Sequence, residues 1–242
     1  MQLLRPIYMS LRYEGNISQS VDRRILTAIT NNAITDVEVR WFGGEPMMAY
    51  RHIIESSDRY LAAAQRSQTH YRSIMTTNGS LLTIKRLKEL YQRAALRMVT
   101  VTVDGYGNYH NRSRRMRNGR PTYDYIMEWM QEYLASIEHM PKLTVAIRIN
   151  ITTTNARSIT RLIDDLAKRH LNNPHFLLQL IPVYNWGHNN ARLQLSNDFL
   201  DHSMPQWIKQ AVTHGIRINI FPAAKKFRLR GNESSSRGNR QS

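Results

Sequence analysis

Short runs of apolar and β-branched residues alternate with longer amphipathic stretches along most of this chain, and no other feature limits its fold as strongly. Several runs are almost continuously apolar, which is typical of strands buried on both faces of a parallel sheet. We predict strands at residues 37–42, 71–76, 98–103, 143–151, 177–182 and 216–220. Apolar positions at helical spacing predict helices at residues 21–32, 53–66, 84–94, 123–137, 158–170 and 197–214.

One strand and one helix recur every roughly 30 to 45 residues, which predicts an α/β fold with right-handed crossovers between parallel strands. A doubly wound sheet and a (β/α) barrel both satisfy this pattern, and periodicity does not separate them. Thr83 has a side chain suited to cap the helix after it, and Asn155 or Ser158 is suited to cap the helix that follows residue 154.

The composition narrows the class of protein. No apolar run approaches the ~20 residues of a membrane helix, and the N-terminus has no signal-peptide pattern, so we expect a cytoplasmic protein without a membrane partner. The absence of cysteine excludes disulfides and thiolate metal sites. The net charge of +16 comes mostly from arginines, which are scattered along the chain without aromatic interleaving. We therefore favour solvated positive side chains and do not expect nucleic acid as a partner.

Conspicuous turn residues follow three successive predicted strands. Gly43, Gly44 and Glu45 follow the first, an Asn-Gly pair at 78–79 follows the second, and an Asp-Gly pair at 104–105 follows the third. Ordinary tight turns would account for each of them alone. The carboxyl ends of parallel strands meet at one edge, where such folds bind ligands, so three in succession favour a ligand site. Adjacent glycines let a ligand approach the backbone, and Glu45 can accept from an ammonium group.

Several longer segments carry a resemblance to a known family. Residues 41–46 read Trp-Phe-Gly-Gly-Glu-Pro, and His110 and Arg114 lie at the family's spacing. Further matching segments follow in order at 75–83, 101–105, 118–124, 148–150 and 181–187. Together they resemble radical S-adenosylmethionine (radical SAM) enzymes, in the form of the peptide- and sulfatase-modifying maturases with a C-terminal SPASM domain. The resemblance covers about residues 13–222.

The resemblance implies a partial (β/α) barrel with a cleft for S-adenosylmethionine (AdoMet). The cleft residues that it implies are Gly43, Gly44, Glu45, Asn78, Thr102 and Arg114. The two glycines and Glu45 would hold the amino group of AdoMet, Thr102 would lie beside its methionine moiety, and Arg114 would pair with its carboxylate. Guanidinium–carboxylate pairing is strong and bidentate. A solvated arginine within a basic run stays an open alternative for Arg114.

The same resemblance implies a 4Fe–4S cluster, and the chain lacks the ligands for it. The family binds the cluster with three thiolates, spaced C-x-x-x-C-x-x-C, on the loop after the first strand, often just before a Tyr-Glu pair. Here Tyr-Glu at 13–14 follows Arg5, Met9 and Arg12 at that spacing. A guanidinium does not ligate iron, and a thioether is a poor substitute for a thiolate. We therefore expect no cluster and no radical chemistry from this chain.

Both ends of the sequence are expected to be cut from a longer protein. Only residues 1–4 precede the would-be cluster loop, so the first barrel strand is expected to be largely missing. We predict a partial barrel at 1–222 and a basic, disordered tail at 223–242 that resembles a truncated entrance to a SPASM domain. A fragment, a decayed gene and a misjoined reading frame would each explain this pattern.

Three functions stay open at this point. The first is a radical-SAM-like domain, descended from an enzyme that modifies a peptide or protein substrate, which cannot hold its cluster and is inactive. The second is an active enzyme with iron ligands from histidine or a partner chain, although the nine dispersed histidines show no paired metal spacing. The third is a non-catalytic module that binds an acidic peptide or nucleic acid through a basic surface. This third function would be supported if five arginines cluster on one face of the protein, namely Arg112, Arg114, Arg115, Arg117 and Arg120.

Overall fold

Six parallel strands form one open sheet in the computed structural model, which describes residues 19–31, 34–184 and 191–219. Each strand pairs with the next one along the chain, so that β1 and β6 form the two edges. The strands are β1 (Asp36–Trp41), β2 (His70–Thr77), β3 (Leu96–Thr102), β4 (Thr144–Ile151), β5 (Phe176–Pro182) and β6 (Ile218–Asn219). The predicted α/β class and partial barrel are confirmed, because every described strand pair is parallel and the sheet does not close.

Helices fill the connections between these strands. The α-helices are α1 (Gln19–Thr30), α2 (Tyr50–Ser67), α3 (Ile84–Arg93), α4 (Asn108–Ser113), α5 (Tyr123–Leu134), α6 (Ile159–Lys168) and α7 (Asn197–Thr213). Short 3₁₀ helices lie at Pro46–Ala49, Ile137–His139, Ala156–Ser158 and Ala191–Leu193. Only α4 lacks a predicted counterpart among the described α-helices, because its six residues are too few to show a helical period. In the part of the chain that the structure describes, no helix has both the length and the apolar character needed to cross a membrane.

The predicted helix caps have different outcomes. Thr83 does cap α3, since the backbone N–H of Arg86 donates to Thr83 Oγ1 at 3.3 Å. The prediction for α6 is wrong, because neither Asn155 nor Ser158 makes a side-chain cap. Ser158 Oγ instead donates to the carbonyl of Asn155 at 2.8 Å and accepts from the N–H of Tyr106 at 3.3 Å. The Ser158 hydroxyl is therefore used in a tertiary hydrogen bond with Tyr106 instead of capping α6.

Some predictions concern residues outside the described ranges. They are the shortened first strand, the cluster positions 5, 9 and 12, the boundary at 222 and the tail at 223–242. The ends of the predicted helix at residue 32 and of the predicted strand at residue 220 also lie outside. These stay predictions.

The two faces of the sheet differ in polarity. One row across five strands consists of Trp41, Met75, Val99, Val145 and Phe176, all at most 3% exposed and all part of the core. The neighbouring row on the other face has half-buried threonines at 76 and 100. Since successive side chains of a strand point to opposite faces, the sheet buries an apolar face in the core and leaves a more polar face partly open. The carboxyl edge borders this open face.

Replacing Gly79 tests the packing between β2, β3 and α5. Gly79 has a φ of +77°, and a Cβ there would lie 2.7 Å from Val101 Cγ1 and 3.3 Å from Ile126 Cγ1. Gly119 has a similar φ of +81°, but a Cβ there would meet no described atom within 4 Å. We expect Gly119→Ala to lower the unfolding free energy by about 1 kcal/mol through backbone strain alone. Gly79→Ala should lower it by about 2–4 kcal/mol, because overpacking adds to the strain. Urea unfolding measures both, and equal losses would contradict this packing.

Candidate functional site

The carboxylate of Glu45 joins the ends of β1 and β2. Its Oε1 accepts from the N–H of Met47 at 3.0 Å and from Thr77 Oγ1 at 2.6 Å, and its Oε2 accepts from the N–H of Asn78 at 2.8 Å. Glu45 is only 9% exposed, so these three donors replace the water that an ionised carboxylate requires. Glu45 also caps the 3₁₀ helix Pro46–Ala49. The two strand ends are therefore held together by a buried, hydrogen-bonded anion.

The loop that leads to Glu45 leaves backbone accessible. Gly44 is exposed, and a Cβ built on it would have no described atom within 4 Å. The packing of this chain therefore does not require glycine at that position. Gly43 precedes it and is half-buried. The backbone of this loop is therefore more accessible to a ligand than the buried Glu45 side chain, whose Oε2 accepts a single hydrogen bond from this chain.

A second carboxylate, that of Asp104, joins the ends of β3 and β4. Its Oδ2 accepts from Arg114 Nε at 2.8 Å, and its Oδ1 accepts from the backbone N–H of Asn150 at 3.1 Å and from Asn150 Nδ2 at 3.2 Å. Arg148 Nε donates to Asn150 Oδ1 at 3.1 Å and extends this network to a second guanidinium. Asp104 is 8% exposed, whereas the Arg114 side chain is 39% exposed. The ion pair thus has a buried acidic end and a partly solvated basic end.

The His110 side chain is held in a single tautomer by two hydrogen bonds, and these bonds fix the connection after β3. The backbone N–H of Asp104 donates to His110 Nδ1 at 3.1 Å, so Nδ1 carries no proton. Thr122 Oγ1 lies 2.9 Å from His110 Nε2 and donates its own proton to the carbonyl of Arg114 at 2.6 Å. It must therefore accept from an Nε2–H. The imidazole is fully buried, and burial lowers the pKa of His110 to about 4.

The six predicted site residues all lie at the same edge of the parallel sheet, although direct contacts join only some of them. Asn78 contacts Glu45 through its backbone, while its side-chain oxygen accepts from the N–H of Ser80 at 2.9 Å. Thr102 is 8% exposed at the end of β3. Arg114 contacts Asp104 rather than Glu45, so the acidic and basic parts of the predicted cleft are held separately. The roles assigned to these residues stay predictions.

Four residues of this edge are not among the six assigned cleft residues, although Asp104 belongs to one of the strand-end pairs that favour a ligand site in the sequence. Asp104 and Asn150 form the ion-pair network, and Thr77 and Thr122 place the hydroxyls that orient Glu45 and His110. Asp104 had a readable signal, because an acid next to glycine at a strand end repeats the arrangement at Glu45. The two threonines had none, because Thr77 ends the β-rich run of β2 and Thr122 directly precedes α5, and threonine is ordinary at both kinds of position.

The donor groups of this chain do not fit a 4Fe–4S cluster. Such clusters require thiolates, and the chain contains no cysteine. Within the described ranges, no group of three or more histidines, aspartates and glutamates is arranged to hold a metal ion.

Comparison with solved structures identifies the fold as similar to that of radical SAM enzymes. Native anSMEcpe with bound AdoMet has a TM-score of 0.64 at 17% identity, over 86% of this chain and 56% of that chain. The same protein with bound AdoMet and Cp18Cys peptide has a TM-score of 0.65 at 19% identity, over 91% of this chain and 61% of that chain. HydG, a maturase of the FeFe-hydrogenase, has a TM-score of 0.57 at 12% identity, over 91% of this chain and 53% of that chain.

These TM-scores show a shared fold and no more, and this chain spans only 53 to 61% of the length of the three structures. No protein-family model matches the sequence, and a search of curated proteins finds no significant match.

Replacing His110 tests the buried neutral imidazole. Its pKa falls from 6.5 to about 4 on folding, so its contribution to stability is fully present above pH 6.5 and is lost as the pH falls towards 4. Between about pH 7.5 and pH 5 we expect this histidine to cost the native state about 2 kcal/mol of unfolding free energy. His110→Gln should lack that loss in urea unfolding, whereas the exposed-site variant His139→Gln should retain it. An identical pH dependence in wild type and His110→Gln would refute the assignment.

Proposed function

We propose that this chain binds AdoMet at the carboxyl edge of its sheet and engages a peptide or protein partner there, without assembling an iron–sulfur cluster of its own. The observation that carries the proposal is the accessible glycine loop beside the fixed carboxylate of Glu45. The radical-SAM-like fold supports it, since the similar structures of anSMEcpe contain AdoMet. The cytoplasmic location expected from the sequence stays a prediction.

The groups at this edge suit the two ends of an amino acid moiety. The backbone carbonyls of Gly43 and Gly44 can accept from an ammonium, as can Glu45 Oε2, which accepts one hydrogen bond from this chain. Arg114 uses Nε for Asp104, and its two terminal nitrogens have no hydrogen-bond partner among the described residues. They would pair with the carboxylate of the ligand. AdoMet, when bound, supplies a sulfonium-activated carbon.

Binding of AdoMet would not by itself enable the radical reaction of the family. Reductive cleavage of AdoMet takes an electron from the cluster, and the protein's part is to bind and orient that cofactor. A chain without thiolates has no ligands for it, whatever the state of the cleft. We therefore propose a domain that resembles peptide-modifying maturases in fold and cleft but is catalytically inactive as a single chain.

A peptide partner is supported by the surface around the cleft. Large apolar side chains are exposed on the connections after β1, β2 and β3, at Phe42, Met48, Leu81 and Tyr106. Apolar side chains exposed on three successive connections at this edge could contact a partner that binds there. One of the similar anSMEcpe structures contains a peptide in addition to AdoMet. This second observation favours binding of a polypeptide over binding of a small molecule alone.

The role of Arg114 can be tested with a pair of ligands. We expect wild-type protein to bind AdoMet weakly, with a Kd on the order of 0.1–1 mM in an NMR titration, because no iron chelates the ligand. Arg114→Ala should weaken AdoMet about tenfold, since it removes a charge-assisted pair. Decarboxylated AdoMet, which lacks the carboxylate, should bind wild type and Arg114→Ala equally. Arg66→Ala, at an exposed position of α2, is the matched control. Equal binding of the two ligands to wild type would remove the role assigned to Arg114.

Cluster assembly is tested by anaerobic reconstitution with iron and sulfide. We expect no visible absorption from a cluster, and no 5′-deoxyadenosine above a protein-free blank, because no thiolate is present. A variant with Arg5→Cys, Met9→Cys and Arg12→Cys restores the family's spacing and is expected to gain a cluster. Its control has cysteines at positions 5, 9 and 11, which breaks the spacing by one residue. Deoxyadenosine production by the unmodified chain would overturn the proposal of inactivity.

A further inference from the structure

Positive charge is concentrated in the connection between α4 and α5. Residues 105–123 contain five arginines and no aspartate or glutamate. The arginines lie within residues 112–120, a segment that we call the arginine turn. Four of them are exposed, and Arg114 is half-buried in its pair with Asp104. The arginine turn is therefore a local excess of cationic groups with a single acidic partner in the described structure.

The other four arginine side chains of the arginine turn either contact uncharged groups or have no partner among the described residues. Arg112 lies over the ring of Tyr109, 5.3 Å from its centroid, and Arg115 Nε donates to the carbonyl of Asn111 at 2.9 Å. Arg117 and Arg120 have no side-chain partner within the described ranges. Exposed, unneutralised arginines raise the local potential and attract anionic groups.

The backbone of the arginine turn is well fixed. The N–H of Met116 donates to the carbonyl of Arg120 at 2.9 Å, and the N–H of Gly119 donates to the carbonyl of Met116 at 2.8 Å. An isolated β-bridge between Arg115 and Pro121 closes the turn. Asn111 Oδ1 accepts from the N–H groups at 122 and 123, each at 3.0 Å. A partner would meet cationic groups on an ordered backbone, which lowers the entropy cost of binding.

The position of the arginine turn links it to the proposed cleft. It belongs to the connection after β3, and the pair between Arg114 and Asp104 anchors it to the carboxyl edge. The exposed apolar side chains of the same edge are Phe42, Met48, Leu81 and Tyr106. This edge therefore presents cationic groups together with apolar ones, which is complementary to a chain that carries acidic and apolar residues.

We propose that the arginine turn is a docking surface for an acidic peptide segment of the partner that engages this edge, an inference that rests on the proposed function. Peptide is favoured over nucleic acid by the side chains of the arginine turn itself, although the same edge also exposes the aromatic rings of Phe42 and Tyr106. Single-stranded nucleic acid binds through aromatic platforms on which bases stack, and residues 112–120 contain no aromatic residue. The ring of Tyr109 is already covered by Arg112. The aliphatic side chains of Met48 and Leu81 instead suit the apolar residues of a peptide.

The test uses the full chain and three labelled probes. They are a peptide of about 12 residues that alternates Glu and Leu, its counterpart with Gln in place of Glu, and a single-stranded oligouridine of about 12 nucleotides. Arg117→Glu with Arg120→Glu reverses two charges of the arginine turn. Arg66→Glu with Lys168→Glu makes the same charge change at exposed positions in the last turns of α2 and α6, away from the carboxyl edge of the sheet. Fluorescence anisotropy measures the affinities at low salt, and circular dichroism confirms that each variant is folded.

We expect the acidic peptide to bind wild type and the α2/α6 variant alike, and to bind the arginine-turn variant at least about tenfold more weakly. The Gln peptide should bind each protein weakly. Equal affinities of the acidic peptide for the two variants would overturn the proposal, as would tighter binding of the oligouridine than of the peptide. AdoMet titrations of the same proteins separate this inference from the proposed function. Lost peptide binding with retained AdoMet binding supports the arginine turn, whereas failure of wild type to bind AdoMet counts against the proposed cleft alone.

Discussion

The buried carboxylate of Asp104 is the contact on which the carboxyl edge of the sheet depends. It receives one guanidinium nitrogen of Arg114 and both nitrogens of Asn150, so the end of β3, the end of β4 and the arginine turn meet at one group. Removing this carboxylate would leave three donors without their acceptor, and orphaned buried donors and unpaired charges are among the most costly changes in a protein. The same group that orders the sheet edge therefore also positions the cationic surface beside it.

Glu45 has an equivalent role between β1 and β2, where it joins the two strand ends through donors of this chain. Both carboxylates are satisfied by donors of the chain itself, so they contribute to folding whether or not a ligand binds. Cluster thiolates have no such second task, because their partners are iron atoms. A chain of this fold can therefore lose its cysteines and keep the geometry of the glycine loop, Glu45 and Asp104. The hydrogen bonds of Glu45 and Asp104 within the chain account for these residues through folding alone, so their presence does not by itself imply radical chemistry.

Prediction from sequence succeeds here where burial leaves a periodic pattern. The apolar runs of β3 and β4 and the amphipathic spacing of α6 report buried faces directly, so the strands, helices and their parallel order follow. Because the strands are parallel, the residues that follow each strand are predicted to lie at one common edge of the sheet.

Side-chain contacts between residues on different loops leave no periodic pattern in the sequence. Arg114 pairs with Asp104, ten positions earlier, across a connection whose only helix is the six-residue α4, and Ser158 accepts from the N–H of Tyr106 instead of capping α6. The neutral tautomer of His110 depends in the same way on a backbone N–H and a threonine that only the folded chain brings together. Its sequence position gives no sign of either contact.

The balance of charge at this edge determines what it holds most readily. Glu45 and Asp104 are already surrounded by donors of this chain, so their negative charge is largely compensated within the protein. The arginine turn adds cationic groups, and AdoMet carries a positive sulfonium. Like charges repel more strongly in a partly buried site than in water, and a chain without cysteine offers no cluster iron whose chelation would offset that repulsion. If both proposals hold, we expect this edge to bind an acidic segment at the arginine turn more tightly than it binds AdoMet at the cleft.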